Sequence, residues 1–114
     1  MDNDTVEIDQ EDFPTPVTPE EKVMVSSLNR EVVVRGVTLL ERDRIFRAAR
    51  EEEVNDYSGT AYMLSICVRS KKGKQVYTPR QWDVWGGANR EDSEKLADMA
   101  LTMIGLRAKE AEKK

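Results

Sequence analysis

The run Val32-Val33-Val34-Arg35-Gly36-Val37 passes directly into Thr38-Leu39-Leu40-Glu41, and this junction constrains the chain more than any other stretch. Consecutive β-branched residues favour an extended backbone, while Thr38 and Glu41 stand at the spacing of a capping box. The threonine hydroxyl accepts from the amide of Glu41, and the Glu41 carboxylate accepts in return from the amide of Thr38. The acid also suits the positive end of a helix. A strand therefore ends, and a helix begins, around Gly36.

Upstream of the junction, Lys22 to Leu28 and Glu31 to Val37 read as two strands flanking an Asn29-Arg30 turn, a β-hairpin over residues 22–37. Val23 and Val25 alternate with Lys22 and Met24, and Val32 and Val34 with Val33 and Arg35. A two-stranded ribbon is only marginally stable in water, so it has to lie on the helices or pair with another chain.

Downstream, a first helix is expected over about 39–54, with Ile45, Phe46 and Ala49 inward. Arg44, Arg47 and Arg50 recur along its far side. Asp43 and Glu51 lie four residues from Arg47, so intrahelical ion pairs are expected, and a solvated face outweighs a phosphate-contacting one. After Asn55-Asp56-Tyr57-Ser58-Gly59 a second helix is expected over 60–69, with Met63, Leu64, Cys67 and Val68 inward; the same residues also suit a strand. Gln75 to Tyr77 reads as a short extended return. Thr78, Pro79 and Gln81 then supply a second capping box for a helix over 79–85, which Gly86-Gly87 is expected to end.

Trp82 and Trp85 sit three residues apart on that helix, where core packing, partner contact or one ring in each role are all open. A last helix is expected over 90–107, acidic in its first turn at Glu91, Asp92 and Glu94. Leu96, Met99, Ala100, Met103 and Arg107 form one stripe, with Ala97, Leu101 and Ile104 beside it. This apolar arc is wider than the ~100° a surface helix needs, so it wants a cover: the hairpin, a second copy or a client. The methionines suit an adaptable contact.

One domain is the default for 114 residues, and the fold class is α+β, mainly helical, with a hairpin followed by about four helices. The charge divides unevenly. Residues 1–22 hold eight acids against Lys22 alone, or −7, which leaves +3 on the rest of a chain whose net charge is −4. With Pro14, Pro16 and Pro19 and few apolar residues besides Val6, Ile8 and Phe13, residues 1–21 read as a disordered acidic arm. The globular domain spans 22–107 and a charged tail 108–114. The arm is either a bland tail or a short sticky motif that folds onto a partner or back onto the basic domain.

No apolar run approaches the ~18 residues of a membrane span, and the acidic start has the wrong sign for a signal peptide, so a cytoplasmic location is expected. One cysteine, Cys67 between Ile66 and Val68, reads as a buried, inert thiol. There is no histidine, no Gly-rich phosphate loop, no nucleophile elbow and no metal-ligand spacing. Catalytic residues, metal ligands and cofactors are therefore not expected.

The stretch V-x-V-R-G-[LV]-T followed by E-R-D-R, here Val32 to Thr38 and Glu41 to Arg44, resembles the tail assembly chaperones of long-tailed phages. The resemblance continues through the Ala61 to Val68 segment, the Lys72-Gly73-Lys74 turn and Val76-Tyr77-Thr78-Pro79, spanning about Lys22 to Leu106. It implies a non-catalytic chaperone that coats the tape measure protein, helps recruit tail tube subunits and leaves before the tail is complete. The implied location is the host bacterial cytoplasm, outside the mature virion. It also implies that a longer frameshifted form exists in some members, for which Glu112-Lys113-Lys114 is a candidate slippery run. Trp82, Trp85, Met99, Met103, Ile104 and Phe13 are the candidate partner-binding residues, and weak self-association is expected. A small phage-encoded nucleic-acid-binding regulator is the alternative, favoured by the basic Lys71 to Lys74 turn and opposed by the acidic balance.

Overall fold

The computed structural model describes residues 11–105. It is α+β and mainly helical, with a three-stranded antiparallel sheet and five helical segments. Strand β1 (Glu20–Val25) and strand β2 (Arg30–Arg35) form the expected hairpin. Their connection is a 3-10 turn, Ser26–Leu28, closed by Asn29 at a left-handed φ of 54° with its amide on the Ser26 carbonyl. The turn is thus not Asn29-Arg30. Arg30 already pairs with Val25, and asparagine tolerates the left-handed well that the closing position requires.

Two further boundaries differ from the sequence expectation at this end. Glu20 and Glu21, assigned to the arm, begin β1 opposite Arg35 and Val34. Residues 1–10 and the tail 108–114 lie outside the described residues, whereas Glu11 to Pro19 are mostly exposed and irregular. The hairpin also has a third partner. Strand β3 (Val68–Arg69) pairs with β2 through Val34↔Val68 and Val33↔Arg69, which makes β2 the central strand.

Helix α1 (Leu39–Arg50) starts with the predicted capping box, both halves formed. It stops four residues short of the expected Val54, because Glu51 leaves the helical region and a single turn, α2 (Glu52–Asn55), follows. The break turns the chain back so that Glu52 accepts from the Gly59 amide at 2.7 Å. Helix α3 (Gly59–Cys67) then packs along α1. A Cβ on Gly59 would stand 2.7 Å from the Cα of Ala49, so only glycine permits this approach.

Helix α3 is the centre of the molecule. Ala61, Met63, Leu64, Ser65 and Cys67 are all buried, which covers more of its circumference than an amphipathic surface helix would. Val68-Arg69, expected as its last turn, instead switches to extended geometry. The switch suits a β-branched valine and supplies main-chain partners to the otherwise open side of β2. The return strand expected at Gln75 is present as a bridge to Arg69.

Helix α4 (Pro79–Ala88) carries the second capping box and proline at its start, as expected, but runs through Gly86 and Gly87 rather than ending there. Asn89 ends it instead: its amide and its side-chain Nδ2 both donate to the Trp85 carbonyl, at 2.8 and 3.0 Å. Gly86 faces α5 (Arg90–Met103), where an added Cβ would meet Ser93 Oγ at 3.0 Å. Helix α5 starts where predicted and ends at Met103; Arg107, assigned to it, lies outside the described residues.

The hairpin packs within its own chain. Helix α5 lies against β2, and the Ser27 amide and hydroxyl both donate to Asp92 Oδ2, at 3.1 and 2.6 Å. Val32 and Val34 from the sheet, Leu64, Cys67 and Val68 from the centre, and Trp82 and Leu96 from α4 and α5 share one core.

Two glycines separate packing from propensity. Gly59→Ala is expected to destabilise the protein by about 1–3 kcal/mol through overpacking against Ala49. Gly87→Ala, which meets no atom within 4 Å, is expected to be neutral or to stabilise by up to ~1 kcal/mol. Urea unfolding monitored by circular dichroism checks both.

Candidate partner-binding surface

Helix α1 is held to the sheet by one polar cluster. Arg35, near the end of β2, donates from both terminal nitrogens to Glu41, each at 3.0 Å, and also to the Gly36 carbonyl. Glu41 Oε1 accepts in addition from the Thr38 amide at 3.0 Å. The paired guanidinium and this cap hold the Glu41 carboxyl down at about 2, from an ordinary 4.5. Arg35 is correspondingly pushed up. Both side chains are mostly withdrawn from water, which makes the bidentate pair stronger than a surface ion pair.

Fixed in this way, α1 buries Ile45 and Ala48. Ala49 faces Gly59 of α3, but Phe46 does not point inward as expected: it is 36% exposed, with the Arg42 guanidinium 5.4 Å from its ring centre. Leu39 and Leu40 are 80% and 59% exposed. At ~100° per residue, Leu39, Asp43, Phe46 and Arg50 fall within about 60° of one another on the outer face. Arg44, Arg47 and Arg50 flank or join this face. Their expected pairs with Asp43 and Glu51 are absent among the described residues; for Glu51 the helix ends before it can complete the i,i+4 geometry.

The six residues singled out from sequence are dispersed over different environments. Trp82 is 1% exposed and belongs to the core, so a partner reaches it only if the fold opens. Trp85 is half-buried and meets Trp82 edge-on at 5.2 Å, while Tyr77 meets Trp82 edge-on from another direction at 4.9 Å. The indole N–H groups of both tryptophans are buried without a hydrogen-bond acceptor. Met99, Met103 and Ile104 are half-buried and packed on the core, with the hairpin of the same chain covering part of the wide arc of α5. Phe13 is 67% exposed and makes no part of the core.

The outer face of α1 was missed in the sequence because Phe46 was placed on the inner stripe. The signal lay in Leu39 and Leu40, which stand at the first two helical positions, before the helix has reached the core. Cys67 is fully buried, and burial pushes its thiol up to about 11, so it is no nucleophile. Among the described residues no group of three or more His, Cys, Asp or Glu is arranged to hold a metal, and no helix is long and apolar enough to cross a membrane. Comparison with protein-family models, curated proteins and solved structures finds no match to this chain.

The depressed Glu41 carboxyl stabilises the fold fully above pH 4.5, and this contribution is lost as pH falls from 4.5 towards 2. Glu41→Gln, which keeps an acceptor for the cap but loses the charge, is expected to cost about 1–2 kcal/mol at neutral pH. The variant should also lose less stability than the parent between pH 4.5 and 2. Chemical denaturation at a series of pH values checks both.

Proposed function

We propose that this protein is a non-catalytic tail assembly chaperone that binds the tape measure protein through the outer face of α1. The observation that carries the reading is the exposure of Leu39, Leu40 and Phe46 on a helix that is capped and pinned to the sheet. Large apolar side chains held in water on a rigid helix present ready-made anchors for an apolar helical client. The resemblance of Val32 to Thr38 and Glu41 to Arg44 to tail assembly chaperones supplies the identity of that client. The contact area is small. Many copies acting along one long client would bind it through multivalency, with each contact weak enough to release. Tail tube recruitment, weak self-association and action in the host cytoplasm, outside the finished virion, belong to the same reading.

A nucleic-acid-binding regulator is the second reading, favoured by Arg44, Arg47 and Arg50, which are exposed and have no ion pair among the described residues. Asp43 interrupts that row, and the acids Glu51, Glu52 and Glu53 close its end, which weakens the attraction to phosphate.

The test is to mix the full chain with a soluble tape measure fragment and run size-exclusion chromatography with light scattering. Coelution at several copies per client is expected. Leu39→Glu and Phe46→Glu should each weaken binding about tenfold, the loss of one well-buried apolar anchor, without changing the circular dichroism spectrum. Separate elution, together with salt-sensitive binding to duplex DNA, would overturn the chaperone reading in favour of the regulator.

A further inference from the structure

Between the hairpin turn and the loop that follows β3 lies a cleft of about 310 Å³, with Leu28, Val32, Val76 and Tyr77 among its lining residues. It continues into a second hollow bordered by Arg30, Lys71 and Lys72. The loop is a tight turn, with the Ser70 amide on the Lys74 carbonyl at 2.9 Å and the Gly73 amide on the Ser70 carbonyl at 2.8 Å. Ser70 Oγ accepts from the amides of Lys72 and Lys74 at 3.3 and 3.2 Å, and Gly73 takes a left-handed φ of 80°, which turns the lysines outward. Lys71 pairs with Glu31 at 3.2 Å. Arg30, Lys72 and Lys74 are exposed and have no ion pair among the described residues. An apolar slot, lined also by Arg30 and by the Glu31 carboxylate that Lys71 pairs, thus adjoins Lys72, with Lys74 further along the same loop.

We propose that this cleft is the docking site for the acidic N-terminal segment of the same chain, residues 2–10, which lays Val6 and Ile8 into the apolar slot and its carboxylates against the basic loop. Three observations carry the assignment. The segment holds Asp2, Asp4, Glu7 and Asp9 and no cation, the charge complement of the rim. Val6 and Ile8 alternate with Glu7 and Asp9, so an extended backbone gives one apolar row and one acidic row. The long, flexible lysines can curl over the acidic row while the apolar row faces the slot.

The third observation is the point of entry. Glu20, the first residue of β1, borders a neighbouring hollow together with Ser70, Lys71 and Gly73. The segment therefore joins the fold on the same side of the sheet as that loop, at the end of the hairpin away from its turn and across β2 from β3. The connecting residues 11–19 span up to ~30 Å when extended, which exceeds the ~20 Å along the ribbon from Glu20 to the cleft at the hairpin turn. The arginines of α1 are a poorer match, because Asp43 lies among them and Glu51 itself lines the hollow that Arg44 and Arg47 share with Tyr57 and Tyr62. The docking would shield the slot from solvent and lower the local excess of positive charge. It does not depend on the identity of any client.

A nitroxide label on a Thr5→Cys variant of the full, ¹⁵N-labelled chain tests the assignment, since the buried Cys67 does not react. Selective broadening of the amides of Arg30–Val32 and Ser70–Tyr77 is expected, relative to the reduced label. The broadening should be lost in the Lys72→Glu, Lys74→Glu double variant and at ~1 M salt, where the Debye length falls to ~3 Å. Three results would overturn it: no selective broadening, broadening centred on Arg44, Arg47 and Arg50, or equal broadening when label and ¹⁵N are on different chains. The last would make the occupant a second copy.

Discussion

The bidentate pair between Arg35 and Glu41 is the interaction on which the arrangement of sheet and helices depends. A charged pair at the end of a central strand fixes direction as well as distance, because a planar guanidinium meets a planar carboxylate in one geometry. Glu41 is also the third residue of α1 and holds the Thr38 amide, so the same carboxylate both starts the helix and docks it. Without the pair, α1 would keep its packing on α3 through Ala49 and the buried Ile45 and Ala48, but would lose its direct polar tie to β2. In this orientation Ile45 and Ala48 face the core and the leucines at the head of the helix face water.

Close approach at small residues does the rest. Gly59 against Ala49 brings α3 onto α1, Gly86 against Ser93 brings α5 onto α4, and Gly36 lies against Pro19 with its amide on the Pro19 carbonyl at 2.8 Å. Each contact lies where two elements cross, so the chain spends few large side chains on spacing and concentrates them in one core. Trp82 fills the centre of that core between Tyr77 and Trp85, and its neighbours meet it edge-on, the arrangement that aromatic quadrupoles favour.

Features governed by local chemistry were legible in the sequence. Both capping boxes, the proline at the start of α4 and the inward residues of α3 are set within a few residues, and the structure forms them as read. Features governed by long-range contacts were not. The end of α1 at Arg50 is accompanied by Glu52 reaching the Gly59 amide, and α4 continues through Gly86, which faces Ser93 of α5, to its stop at Asn89. Val68 leaves its helix because β2 offers it a partner 34 residues away. Phe46 was misplaced for a related reason. Helical spacing assigns residues to faces only after the inward direction is known, and Arg35 sets that direction from outside the helix. The dispersal of the six candidate residues follows from the same limit, since apolar type alone does not distinguish a filled core position from a presented one.

Arg35 also bears on the surfaces themselves. It borders the hollow shared by Glu20, Arg69, Ser70 and Lys71 while holding α1 through Glu41. Arg69, whose Nε donates to the Ile66 carbonyl at 3.0 Å, is held below its usual range by burial and by the nearby Arg35 charge. Two guanidiniums are therefore gathered at one end of the sheet, and Glu41 is the carboxylate that Arg35 holds directly. The exposed start of α1 is tied to this group through Glu41, and the basic loop after β3 through Arg69 and Lys71. A partner that altered the Arg35–Glu41 pair would disturb the orientation of Leu39 and Leu40, whereas one confined to Lys72 and Lys74 would leave α1 in place. Separation of the two surfaces thus rests on how well the half-buried pair is insulated from the loop lysines, and the bidentate contact at 3.0 Å, which pulls the Glu41 carboxyl down to about 2, favours the charged pair.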